Sequence, residues 1–340
     1  MKALIKKYPE KGIWMENVPQ PDCGDNEIKI KITHTAICGT DLHIYNWDSW
    51  AQRTLELPLI IGHEFCGVIE EIGKNITHYQ IGQRVSGEGH ITCGYCRNCR
   101  AGKQHLCDSS IGIGIHKNGA FAEYVVIPES NIWVIPDNTS SEIASFLDPF
   151  GNAVHSTSCF KIIGEDLLIT GAGPIGLMSV AICKFMGARN VVITDINDYR
   201  LRLAKQLGAT KTINTTNDNI ENCYDELNIK HGFDVGLEMS GNPKAFNDMI
   251  SNIYHGGKIV LLGLLPRKTS INWDNIIFKG LQIRGVYGRE MYETWYKMDQ
   301  LIKSGLDLSK ILTHKFPIDD YDDAFKTISS GKCGKIVIEW

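Results

Sequence analysis

The sequence predicts a two-domain protein: a first half of β structure with long loops, and a second half of α/β class built on a doubly wound parallel sheet. Three observations lead there. The chain has 340 residues, more than the ~100–200 of one ordinary domain. Up to about Phe150, short apolar runs alternate with Gly, Pro, Asn and Asp clusters. From Gly151 onward, apolar runs of strand length alternate with longer stretches of helical spacing. Domains are therefore expected at 1–150, with a cysteine-rich lobe near 88–110, and at 151–290, followed by a segment 291–340 that packs back on the first domain.

In the first half, Ile28 to Thr33 (IKIKIT) alternates as a half-buried strand does. Val68-Ile69, Tyr124 to Ile127 and Ile132 to Ile135 are further short strands of an irregular barrel or sandwich. In the second half the expected strands are Leu167 to Thr170, Val191 to Thr194, Phe233 to Leu237 and Lys258 to Gly263. Pro174 to Met186, Tyr199 to Leu207 and Pro243 to Tyr254 are the helices between them. The tail reads as a helix (Glu290 to Ser304), a strand (Ile311 to Phe316), a short helix (Asp319 to Ile328) and a last strand (Lys335 to Glu339).

Composition narrows the function classes. A hydrophobic fraction of 43% with 22% charged residues is that of a globular protein, and the net charge of −4 offers no footprint for nucleic acid or an anionic membrane. The longest apolar stretch, near Ile259 to Leu265, is far below the ~20 residues of a membrane span. Eleven cysteines without a secretory signal imply reduced thiols used for metal or packing. The expected location is the cytoplasm.

Leu167 to Thr170 runs into Gly171-Ala172-Gly173-Pro174-Ile175-Gly176 and then a helix. The first Gly makes the tight turn, the second lets a pyrophosphate approach the backbone, and the third lets helix and strand pack closely. Helix-start amides then meet the phosphates. Asp195 ends the next strand, where an acid binds the ribose 2′-OH and repels a 2′-phosphate, so NAD is expected over NADP. Arg200 follows within reach of the adenine or ribose edge.

Cys93-x2-Cys96-x2-Cys99-x7-Cys107 supplies four thiolates for a closed, structural zinc site, although iron–sulfur ligation fits the same spacing. A second polar group, Cys38-Gly39-Thr40-Asp41-Leu42-His43 with Gly62-His63-Glu64, offers Cys38 and His63 as ligands of an open metal site, with Glu64 or Asp148 as the third.

These motifs, with the CGTDLH at 38–43, GHEFCGVIEEIG at 62–73 and Asp148-Pro149, make the chain similar along its whole length to the zinc-containing medium-chain dehydrogenases. The resemblance implies a GroES-like barrel as catalytic domain and a Rossmann domain for NAD. It implies two zinc ions per subunit: a catalytic one at Cys38, His63 and Glu64, and a structural one at the four cysteines. Asp148 falls where relatives place a further ligand, commonly Cys or Glu, and its shorter side chain leaves open a role through water. Thr40 and His43 resemble a hydroxyl–imidazole proton relay. Ile175, Leu262, Gly263, Leu264, Val286 and Tyr287 join the glycines, Asp195 and Arg200 as expected cofactor contacts.

Four segments, HIYNWDSW (43–50), SGEGHITCGYCRNC (86–99), DPFGNAVH (148–155) and YGREMYETWYKM (287–298), most resemble family members that oxidise L-threonine to 2-amino-3-oxobutyrate. In those segments Glu88, His90, Asn152 and Arg289 are candidates for the substrate head group, and Trp47 and Trp50 for a pocket wall. A polyol dehydrogenase acting on sorbitol or 2,3-butanediol is the rival enzyme, and a non-catalytic NAD-binding protein the rival of another class. A homotetramer is implied by the resemblance alone.

Overall fold

Ile28, Ile30 and Ile32 lie on one face of the strand Glu27–Ala36 and are all buried, because side chains two residues apart share a face of a strand. That strand organises the first of two units in the computed structural model, which describes residues 1–340. One of its edges pairs antiparallel with Phe65–Ile72. Its other edge is shared, with Tyr124–Pro128 along residues 27–31 and Lys335–Glu339 along residues 34–36. Arg84–Gly87 and Ile132–Val134 extend one side of this seven-stranded sheet, and Leu312–Pro317 the other. Phe65, Ile69, Val85, Val125 and Ile127 complete the core over the three isoleucines. A three-stranded sheet, Trp14–Asn17, Lys2–Lys6 and Leu59–Ile60, closes a second core around Leu4, Ile37, Ile61 and Phe121.

The second unit holds six parallel strands in the order Lys211–Asn214, Asn190–Asp195, Asp166–Thr170, Phe233–Glu238, Ile253–Leu261, Gln282–Gly285. The central strand Asp166–Thr170 is buried at every position, as a parallel strand covered on both faces must be. Pro174–Phe185, Asp198–Gln206 and Pro243–Asn252 are the covering helices; Pro174 and Pro243 each open one, where a missing N–H costs nothing.

Several elements depart from the sequence expectations. The helix Pro243–Asn252 stops two residues early, because Ile253 already pairs with Phe233, before a register shift between Ile253 and Lys258. Leu147–Thr157 is a helix despite its Pro149, Gly151 and Asn152, the proline sitting in the first turn. Gly39–Asn46 and Ser49–Thr54 are helices inside the half expected to be strand and turn. The division into units falls after Asp148, and Gln300–Ile311 groups with the second unit, not with the tail. Its turn Ser309–Ile311 packs on the helices Pro174–Phe185 and Asp198–Gln206, and Lys310 Nζ donates to the Gln206 carbonyl at 3.2 Å. No helix is long and apolar enough to cross a membrane.

Candidate active site

The four-cysteine lobe leaves the first unit between the paired strands His90–Ile91 and Ile111–Gly112. Backbone amides point at its sulfurs: Cys93 N donates to Cys107 Sγ, Cys96 N to Cys93 Sγ and Cys99 N to Cys96 Sγ, each at 3.4 Å. Amide donors of this kind stabilise thiolates. The Sγ atoms of Cys93 and Cys99 are 4.0 Å apart and those of Cys93 and Cys107 3.6 Å, with all four within 4.8 Å of one another. A tetrahedron with ~2.3 Å zinc–sulfur bonds has edges of about 3.8 Å. The donor set fits zinc, and the separations are far beyond the ~2.05 Å of a disulfide.

The second group is brought together by two segments of chain. Cys38 is the N-cap of helix Gly39–Asn46, and Asp41, fully buried, accepts from the Cys38 N–H at 2.8 Å. Gly62, at φ +90°, passes so close to Phe121 that a Cβ would meet its ring at 2.0 Å; only glycine lets the chain turn His63 inward there. Ligand atoms of Cys38, His63 and Glu64 lie within 4.8 Å of one another. Asp148, buried, stands outside this set. His63 Nδ1 and Glu64 Oε1 are buried with no hydrogen-bond partner, and Glu64 Oε2 is held by Lys335 Nζ.

The electrostatics ask for a cation. Burial opposes a charged His63, yet Cys38, Asp41 and Asp148 outweigh it and push the imidazole up to about 10. Burial likewise raises Asp41 and Glu64. Orphaned donor atoms amid this much negative character fit a divalent metal.

Beside this group, Thr40 Oγ1 is 3.7 Å from Cys38 Sγ. His43, largely exposed one helical turn on, bonds Asp48 Oδ2 through Nδ1 at 2.5 Å, and Trp50 lies against its ring at 6.1 Å. Trp47 takes a left-handed conformation (φ 53°) that ends the helix, with Lys6 Nζ 5.1 Å from its ring centre. Elsewhere in this unit, buried Glu88 accepts from His90 Nδ1 at 2.9 Å and from Trp295 Nε1 at 3.0 Å. In the second unit, buried Arg289 donates to Asn152 Oδ1 at 3.4 Å.

The glycine turn of the second unit is shaped for a dinucleotide. A Cβ on Gly171 would meet Ser240 at 2.8 Å and one on Gly176 the Gly171 carbonyl at 2.0 Å, whereas Gly173 faces open space. That opening is where a phosphate would approach the backbone. Asp195 is held by three amides, from Ala172 (2.6 Å), Ile196 (2.8 Å) and Asn197 (2.9 Å). Oδ1 accepts two of these amides, and Oδ2, with one, keeps a lone pair for a ribose hydroxyl. Arg200 Nε is buried without a partner. Leu264 and Tyr287 are exposed, and Ile175, Leu262, Gly263 and Val286 are partly so.

Residues 24–137 match the alcohol dehydrogenase GroES-like domain, and residues 174–304 match the zinc-binding dehydrogenase domain. L-threonine 3-dehydrogenases of Xanthomonas euvesicatoria and Stenotrophomonas maltophilia are each 58% identical over 340 residues, covering 100% of both chains. The chain belongs to the zinc-binding dehydrogenase family. A putative zinc-binding dehydrogenase from Clostridium scindens shares its fold, with a TM-score of 0.90 at 28% identity over 100% of this chain and 99% of that one. An alcohol dehydrogenase from E. coli CFT073 complexed with NADH has a TM-score of 0.91 at 27% identity, over 100% of this chain and 99% of that one.

Within the zinc-binding dehydrogenase frame, four functional-looking residues escape a reading of the sequence. Asp48 and Lys335 look like ordinary surface charges until the fold seats them on His43 and Glu64. Asp41 carries a faint signal, since Cys38-x-x-Asp41 has the spacing of a capping box. Glu238 ends an apolar strand and is fully buried, accepting from Ser240 N at 2.9 Å and Gly241 N at 3.0 Å beneath the glycine turn. An acid in such a run is the signal that finds it.

Proposed function

We propose that the protein oxidises the secondary alcohol of L-threonine to 2-amino-3-oxobutyrate with NAD, using zinc. The observation that carries this is full-length likeness, at 58% identity, to proteins named L-threonine 3-dehydrogenase. The first unit is read as the catalytic domain and the second as the NAD domain, with Gly171, Gly173, Ile175, Gly176, Asp195, Arg200, Leu262, Gly263, Leu264, Val286 and Tyr287 as its contacts. Cys38, His63 and Glu64 would hold the catalytic zinc, and Cys93, Cys96, Cys99 and Cys107 the structural one. Bound there, the metal would supply polarisation of the alcohol oxygen and the dinucleotide a hydride acceptor.

The chain's own residues handle the proton and the positioning. Thr40 takes the alcohol proton and passes it to His43, which delivers it to solvent. Asp148 balances the charge of the buried group from outside the ligand set. Glu88 orients His90 for the substrate head group. The protein works in the cytoplasm as a homotetramer. Self-association is favoured by the unpaired edge strand Gln282–Gly285 and by the exposed Trp273, Ile277 and Phe278 near it in sequence.

The test is NADH formation by zinc-loaded protein with L-threonine, sorbitol, 2,3-butanediol and L-serine, each with NAD and with NADP. Turnover of threonine with NAD is expected. Preference for a polyol would overturn the substrate and leave the chemistry.

A further inference from the structure

We propose that Asp48 is a positioning residue of the reaction, holding His43 in the tautomer that receives the proton. This rests on the relay reading of His43 and extends it by one residue. Asp48 divides its carboxylate between two tasks. Oδ1 accepts from the N–H groups of Trp50 (2.9 Å) and Ala51 (3.1 Å), capping helix Ser49–Thr54, while Oδ2 meets His43 Nδ1 at 2.5 Å. The geometry between them is closed by the left-handed Trp47, which turns the chain so that Asp48 N reaches the His43 carbonyl at 3.4 Å.

The chemistry follows from what a carboxylate can do. Ionised, it only accepts hydrogen bonds, so the proton of a neutral His43 must sit on Nδ1. Nε2 is then the acceptor. The amides of Trp50 and Ala51 and the imidazole hold Asp48 below the usual carboxylate range against the opposing effect of burial, so it remains an acceptor across the working pH range. When Nε2 takes a proton from Thr40, Asp48 faces the resulting cation across a short bond, and the proton then leaves Nε2 for water. Trp50, on the helix that Asp48 caps, places its ring centre 6.1 Å from that of His43.

The cap makes a discriminating variant available. In Asp48→Asn the helix amides still demand an oxygen, which turns the side-chain NH2 toward His43 Nδ1. The N-cap survives, since Asn caps as well as Asp, but the bond to histidine reverses. His43 should move to the Nε2–H form, which cannot receive a proton at Nε2. The relay would lose up to the ~10²–10⁴-fold that positioned acid–base groups contribute, and at least ~10-fold in kcat is expected with the KM for NAD nearly unchanged.

The experiment compares wild type, Asp48→Asn and His43→Asn for threonine turnover, thermal unfolding, and the ¹⁵N shifts of histidine-labelled protein, which report the tautomer directly. Wild type in the Nδ1–H form, with a slow, normally folded Asp48→Asn in the Nε2–H form, supports the proposal. A slow His43→Asn beside a fully active Asp48→Asn overturns it and leaves the relay standing. A fully active His43→Asn removes the relay and this proposal with it. If Asp48→Asn does not fold, the wild-type spectrum decides alone: an Nε2–H His43 overturns the proposal.

Discussion

Lys335 and Glu64 form a fully buried ion pair, the lysine Nζ on Glu64 Oε2 and, at 2.8 Å, on the carbonyl of Ile37. Both residues are at most 1% exposed. The lysine ties down one oxygen of a candidate zinc ligand and the carbonyl beside another, leaving Glu64 Oε1 as the oxygen without a partner. Removing one member of such a pair costs about 3–5 kcal/mol, because the other is left charged and dry. Lys335→Met should therefore unfold at markedly lower denaturant. Adding Glu64→Gln should recover part of the loss, as read by a double-mutant cycle.

The cysteine lobe should keep its metal independently of the reaction. Cys107→Ser is expected to lose about one zinc per chain by metal analysis and to lower the unfolding temperature, because a structural zinc contributes folding energy outright. A variant with unchanged zinc content would count against the lobe as a zinc site.

Asp195 should govern cofactor choice. In Asp195→Ser the KM for NAD is expected to rise about tenfold, the equivalent of ~1.4 kcal/mol, while that for NADP falls. Initial rates at varied cofactor concentration measure both. An unaltered ratio would detach Asp195 from the ribose.

Acid should weaken the first unit through Glu142. The hydrogen bond from Lys315 pulls this carboxyl down to about 2 from an ordinary 4.5. A depressed folded value stabilises the protein above about pH 4.5, and that stability drains away as pH falls toward about 2. The pair is partly exposed, so its worth is below about 1 kcal/mol. Lys315→Met should be less stable than wild type at neutral pH, with the difference shrinking in thermal melts as pH falls from about 4.5 toward about 2.

Gly62→Ala tests how His63 is aimed. With a Cβ 2.0 Å from Phe121 and φ at +90°, the chain must shift, at a cost of roughly 1–3 kcal/mol for overpacking alone. Loss of zinc-dependent turnover should exceed what the loss of stability explains.

Much of this was legible in the sequence because it depends on neighbours in the chain. The alternation of Ile28, Ile30 and Ile32, the glycine turn with Asp195 at the next strand end, and the spacing of Cys93, Cys96, Cys99 and Cys107 all express local periodicity or local geometry. What stayed hidden depends on long-range closure. Lys335 meets Glu64 across 271 positions of chain. The strands Lys211–Asn214 and Gln282–Gly285 are four residues each, too short to display a period. The helix Leu147–Thr157 is concealed by residues with low helix propensity, which its burial overrides.

The strand Lys335–Glu339 lies in the sheet between Glu27–Ala36 and Leu312–Pro317. During synthesis, the strand Glu27–Ala36 emerges about three hundred residues before the partner that covers residues 34–36. Its open edge is exposed to other chains for that whole interval, the time of greatest risk for misassembly. The second unit's sheet, drawn from Asp166 to Gly285, contains all its strands by then. The parallel sheet of the second unit is thus complete in the growing chain before the barrel receives its last strand, and Glu64 gains its buried cation only when Lys335 arrives.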